Sequence, residues 1–151
     1  MALYVHTNII AQDSEKLIQF YKDVFSCLSI GQKRDLKGPV FDKLTGIKDV
    51  RIVGEHLLMP GFEGNGPTLE IFSYEKMEGS FDHKVNTLGF SHIAFEVDDV
   101  EETLNKLISH GGQLVGELIH ADYPDGRHLC AVYASDIEGN IVEIMKWTRS
   151  L

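Results

Sequence analysis

Four side chains in this sequence stand where their types and spacing could do chemistry: His6, Glu70, His92 and Glu143. Each sits in a short run of apolar and β-branched residues that reads as a strand. In a strand, side chains i and i+2 share a face. Ile93, Phe95 and Val97 take one face of the run Ser91 to Val97, so His92 takes the other. The same parity turns Glu143 away from Val142 and Ile144, and Glu70 away from Leu69 and Ile71. A glutamate in the middle of an apolar strand is costly unless it is paired or bound to a cation. Two imidazoles and two carboxylates suit an octahedral divalent ion (Zn, Ni, Co, Mn or Fe) with two positions open for water or substrate. Taken singly, a strand histidine is more often a structural hydrogen-bonding residue, and a strand glutamate a solvated edge residue.

The elements that must position these residues occur twice. With His6 set over His92, Asp13 falls on Asp99, Glu15 on Glu101, Ile18 on Leu104 and Tyr21 on Leu107. With Glu70 set over Glu143, Leu69 falls on Val142, Ile71 on Ile144 and Tyr74 on Trp147. The offset is 86 residues at the histidines and 73 at the glutamates, which places 13 extra residues in the first half, around residues 31–66. Such a repeat implies two copies of one supersecondary unit about a pseudo-twofold axis. It also raises the weight of the metal reading, because four polar residues at equivalent places are not four independent accidents.

Each half reads as strand, helix, then three strands, giving an α+β fold of two βαβββ modules in tandem. The first module spans residues 1–75, a linker 76–89, and the second module 90–151, within one compact domain. In the first half the strands fall at 3–10, 28–34, 50–59 and 68–74. Its helix is 14–26, capped by Asp13 or Ser14 and carrying Leu17, Ile18, Tyr21, Val24 and Phe25. Residues 37–46 read as irregular with room for one helical turn. In the second half the strands are 91–97, 113–118, 128–134 and 141–147. Asp98-Asp99 caps a helix that Gly111-Gly112 stops.

Composition removes several function classes. The chain has 151 residues, 43% of them hydrophobic and 25% charged, so it can bury a core without disulfides or a structural metal. Its formal net charge of -9 lacks the basic face that nucleic acid or an anionic membrane surface needs. No signal peptide is visible at the N-terminus, and no apolar run could span a bilayer. Cys27 and Cys130 read as reduced thiols, and the expected location is cytoplasmic.

Phe72, Tyr74, Met145 and Trp147 share the glutamates' parity and would line an apolar wall. Glu96 shares the parity of His92 and reads as a rim carboxylate or a base. Arg127 and its neighbour His128 could touch substrate. His56, His83, His110 and His120 lack a repeat partner and read as surface residues.

These residues together resemble the glyoxalase / bleomycin-resistance / extradiol-dioxygenase superfamily, also called vicinal oxygen chelate. The resemblance rests on Val5-His6-Thr7-Asn8-Ile9, Phe20-Tyr21, Leu69-Glu70-Ile71, Gly89-Phe90-Ser91-His92-Ile93-Ala94-Phe95 and the ending Asp136-Ile137-Glu138-Gly139-Asn140-Ile141-Val142-Glu143-Ile144. It implies sheets curled around a central site with one divalent metal ion on His6, Glu70, His92 and Glu143. This ligand set is similar to that of glyoxalase I (lactoylglutathione lyase). The implied activity is a lyase or isomerase reaction: proton transfer next to a metal-chelated carbonyl, through an enediolate, with Glu143 or Glu70 as the base. The implied partner is a small molecule with vicinal oxygens, bound by a homodimer. An extradiol-type dioxygenase, an acyl-CoA epimerase and a non-catalytic drug- or metabolite-binding protein are the alternatives.

Overall fold

Asp13 and Asp99 start the two longer helices in the same way. The Asp13 carboxylate accepts the backbone N–H of Lys16 at 3.1 Å, and that of Asp99 accepts the N–H of Glu102 at 2.9 Å. Each satisfies a donor that the first helical turn leaves open. A computed structural model describes residues 1–79 and 82–149 of the chain. The chain divides into two compact units, residues 1–80 and 81–151. The expected linker at 76–89 includes residues 80 and 81, and the expected second module includes residues 150 and 151; these four lie outside the described residues.

The first unit runs β1 (His6–Ile10), α1 (Ser14–Phe25), β2 (Leu28–Lys37), α2 (Pro39–Thr45), β3 (Arg51–Leu58) and β4 (Thr68–Tyr74). Its sheet has the order β1-β4-β3-β2, with β1 parallel to β4 and the other neighbours antiparallel. The apolar stripe of α1 (Leu17, Ile18, Tyr21, Val24 and Phe25) is buried, and the helix packs on β3 and β4. Leu57, Leu69 and Ile71 are also fully buried. Each such side chain contributes roughly 1.5–3 kcal/mol of burial. The other face of the sheet carries a smaller apolar cluster of Val50, Ile52 and Phe72, with Leu36, Phe41 and Tyr74 packed on it.

The second unit runs β5 (His92–Glu96), α3 (Val100–Ser109), β6 (Gln113–Leu114), β7 (Ile119–Asp122), β8 (Arg127–Ser135) and β9 (Ile141–Arg149). Its sheet has the order β5-β9-β8-β6, with β7 also paired to β8. β5 lies parallel to β9, as β1 does to β4. Helix α3 buries Val100 and Leu107 and packs on β8 and β9. The β8–β9 turn is held by the buried Asp136, whose carboxylate accepts the backbone N–H groups of Glu138 and Asn140 and the Asn140 side-chain amide.

Strand β1 starts at His6 where residue 3 was expected, and β2 runs on to Lys37 where residue 34 was expected. Two other stretches differ in kind from the sequence reading. Residues 39–45 form a two-turn helix where an irregular segment with one turn was expected; Pro39 fills its first turn and Gly46, at φ 73°, ends it. The strand expected over 113–118 is two residues long, and residues 119–122 pair with β8 instead. Val115 and Gly116 both donate to the Tyr133 carbonyl, which breaks the ladder between β6 and β7.

Candidate metal and substrate site

The ladder register turns the sequence repeat into a geometric one. In the first unit His6 pairs with Thr68 and Asn8 with Glu70. In the second, His92 pairs with Ile141 and Ala94 with Glu143. In each unit, then, the glutamate stands two residues beyond the partner of the histidine, on the central one of three adjacent strands. The two side chains meet in both units. His6 Nδ1 lies 3.4 Å from Glu70 Oε1, and His92 Nε2 lies 3.2 Å from Glu143 Oε2.

The surroundings of the two glutamates differ. Glu70 is only 8% exposed. Its Oε1 also lies 3.2 Å from His56 Nδ1, and its Oε2 accepts the Asn8 amide at 3.2 Å. Glu143 is half-buried, and its contact among the described residues is the one to His92. The position opposite Glu70 on β3 is His56; the position opposite Glu143 on β8 is Tyr133, whose ring centroid lies 5.0 Å from that of His92. Burial holds the His56 imidazole below the ordinary histidine range; the Glu70 carboxylate pulls it upward, and Arg34 and His6 push it down.

His56 was therefore misplaced by the sequence reading, which set it on the surface. Its repeat equivalent is a tyrosine, so a search for repeated histidines passes over it. Counting antiparallel partners back from Glu70 across the β3–β4 turn finds it. The register also locates the extra residues of the first half. The offsets are 86 at His6/His92, 77 at His56/Tyr133 and 73 at Glu70/Glu143. Nine of the thirteen thus precede the third strand, where β2 and α2 lie, and four fall in the β3–β4 loop.

Phe72 and Tyr74 line one open cavity of about 400 Å³ together with Asn8 and Glu70. Its remaining walls are Leu36, Phe41, Leu44, Thr45, Ile47 and Ile52. On the second sheet, Met145 and Trp147 follow Glu143 at two-residue steps along β9. Arg127 stacks over Trp147 at 4.6 Å and binds Asp125 at 2.7 Å. Glu96 accepts the Trp147 backbone N–H at 3.4 Å, extending the β5–β9 ladder by a side chain. His128 holds Asp122 at 2.7 Å and stacks on His120, and His128 and Asp122 are ladder partners on β8 and β7.

The donor atoms fit a divalent ion. Two ligands at about 2.1 Å from one ion are about 3.0 Å apart at an octahedral angle and about 3.4 Å at a tetrahedral one. Both histidine–glutamate separations fall close to that range. No cluster of three or more His, Cys, Asp or Glu among the described residues is arranged to hold a metal ion, so each unit offers a chelating pair.

The sequence profile of the Glyoxalase/Bleomycin resistance protein/Dioxygenase superfamily matches residues 3–144. The chain belongs to this superfamily. The solved structures it resembles share the vicinal oxygen chelate fold. A glyoxalase family protein from Bacillus cereus superposes with a TM-score of 0.73 at 22% identity, over 95% of this chain and 91% of that one. A glyoxylase/bleomycin resistance protein/dioxygenase domain from Frankia sp. EAN1pec gives 0.62 at 13% identity, over 98% and 99%. The fosfomycin resistance protein FosX from Listeria monocytogenes, as a mutant complexed with Mn(II) and 1S,2S-dihydroxypropylphosphonic acid, gives 0.56 at 15% identity, over 95% and 91%. Comparison with curated proteins found no match. No helix among this superfamily member's described residues is long and apolar enough to cross a membrane.

Proposed function

We propose that this vicinal oxygen chelate protein is a metal-dependent lyase or isomerase of the glyoxalase I type. His6, Glu70, His92 and Glu143 together hold one divalent ion. The observation that carries this reading is the matched pair of contacts, His6–Glu70 and His92–Glu143, at equivalent register positions of the two sheets. When bound, such an ion supplies Lewis acidity to the vicinal oxygens of a small substrate.

The chain's own residues then divide the work. Glu70 is fixed by His6, His56 and Asn8 and serves as a positioned ligand. Glu143 has fewer restraints, so it is the carboxylate able to swing onto a proton next to the carbonyl and to return it. The apolar residues beside Glu70 exclude water from the substrate's far end. The protein acts in the cytoplasm as a homodimer on a small molecule, without nucleic acid or membrane partners.

The test is proton exchange at the carbon next to the carbonyl. Metal-loaded protein is incubated in heavy water with α-hydroxy ketones and with glutathione hemithioacetals, and exchange is followed by NMR. Glu143→Gln is expected to slow exchange by about a hundredfold or more while retaining metal, as the loss of a general base does. Glu70→Gln is expected to lower metal content as well. Full exchange in Glu143→Gln would refute the assignment.

A further inference from the structure

Helix α2 has no counterpart in the second unit; of its apolar residues Phe41 packs on the small cluster of Val50, Ile52 and Phe72, while Val40 and Leu44 are exposed. Polar contacts anchor it. The Asp42 carboxylate accepts the backbone N–H groups of Asp49 and Val50, at 2.9 and 3.0 Å, tying the helix to the start of β3. The Thr45 hydroxyl donates to the Phe41 carbonyl at 2.8 Å. No residue of α2 is buried, and Leu44 is 78% exposed. Yet Phe41, Leu44 and the following Ile47 all line the cavity that Glu70 also lines.

We propose that this cavity takes the uncharged apolar side group of a small-molecule substrate whose oxygen-bearing end lies at Glu70, and that α2 sets the specificity. The identity of the oxygen-bearing end rests on the function proposed above; the pocket and its preference do not. At about 400 Å³ the open cavity is in the range of small-ligand sites. It suits one aromatic ring with a short chain, or a branched aliphatic group.

Charge decides the class. No lysine or arginine lines the cavity, and Glu70 puts a carboxylate in its wall. Lys33 is engaged by Glu15 and Glu55, and Lys37 lies 4.0 Å from Asp35. Arg34 influences His56 but is not part of the wall. A phosphonate or phosphate group on the substrate's far end would meet an apolar wall that carries no lysine or arginine.

The test uses the full chain stripped of metal, with the neutral fluorophore N-phenyl-1-naphthylamine. Saturable binding of one probe per chain is expected, displaced by 1-phenylpropane-1,2-dione and not by methylphosphonate. Leu44→Gln, on an exposed position, is expected to bind the probe about tenfold more weakly with an unchanged unfolding midpoint, as loss of one leucine contact implies. The proposal fails if the probe does not bind, if Leu44→Gln leaves its affinity unchanged, or if methylphosphonate displaces it through Arg34. It also fails if sedimentation shows Leu44→Gln turning a dimer into a monomer, because a second copy would then cover α2. Probe binding without proton exchange overturns the reaction and leaves the pocket; exchange without probe binding does the reverse.

Discussion

Two residues that sequence reading treats alike are set apart by their neighbours. Glu70 and Glu143 are repeat equivalents, but His56 and Asn8 restrain one where Tyr133 and Ala94 stand beside the other. The near-symmetry of the sequence therefore left the base open, and the register supplied the difference. Cys27 shows the opposite case, in which burial fixes behaviour outright. The thiol is buried and its pKa is pushed up to about 12 by desolvation. A raised native pKa makes a stability contribution that is complete below the unfolded thiol's value of about 9 and is lost as pH rises toward 12. Native protein at pH 8 is expected to alkylate Cys27 only on unfolding. From pH 9 to 11, the stability of the wild type is expected to fall faster than that of Cys27→Ala, by up to about 1.4 kcal/mol per pH unit. Parallel curves in urea titrations of the two proteins would contradict the assignment.

At the scale of elements, strands with clean alternation and helices with aspartate caps were legible, because each signal is local. Helix α1 and strand β4 fall within a residue of where the spacing places them. Strand β7 was not legible: Ile119-His120-Ala121-Asp122 is a largely exposed edge supported by its ladder to β8. Helix α2 was underread because none of its residues is buried and only a small apolar cluster, met by Phe41, supports it from the sheet. The β2–β3 ladder hides another non-local feature. Its register shifts between Ile30 and Arg34, and the partner there is Gly54. Gly54 has φ 155°, and a Cβ on it would lie 2.0 Å from the Ile71 carbonyl oxygen and 2.6 Å from the Phe72 ring. The shift and the glycine together let β3 pass close to β4 directly beside the Phe72 wall of the cavity. Gly54→Ala is expected to cost about 3 kcal/mol or more and to weaken probe binding, since strand backbone must move to admit the methyl. Chemical denaturation measures the first effect; a loss below 1 kcal/mol would show that the close approach is not maintained in solution.

For the whole molecule, the decisive matter is whether the two units act as two half-sites or as two sites. Each contains a parallel strand pair bearing one histidine and one glutamate in the same register. Each pair alone offers two donors, too few for tight, selective binding of a divalent ion that prefers four to six ligands. On the proposal of a shared ion, the donor count doubles and both units need their carboxylate. The expectation is one tightly held ion per chain. Its binding should raise the unfolding midpoint, because a ligand bound only by the native state stabilises it by RT ln(1 + [L]/Kd), about 4 kcal/mol at a thousandfold excess over Kd. His6→Ala and His92→Ala should each abolish that rise, although they lie in different units. Atomic absorption gives the stoichiometry and calorimetry with and without chelator gives the shift. Two ions per chain, or a variant that keeps half of the stabilisation, would mean that the modules bind metal independently and that the repeat is duplication without a joint site.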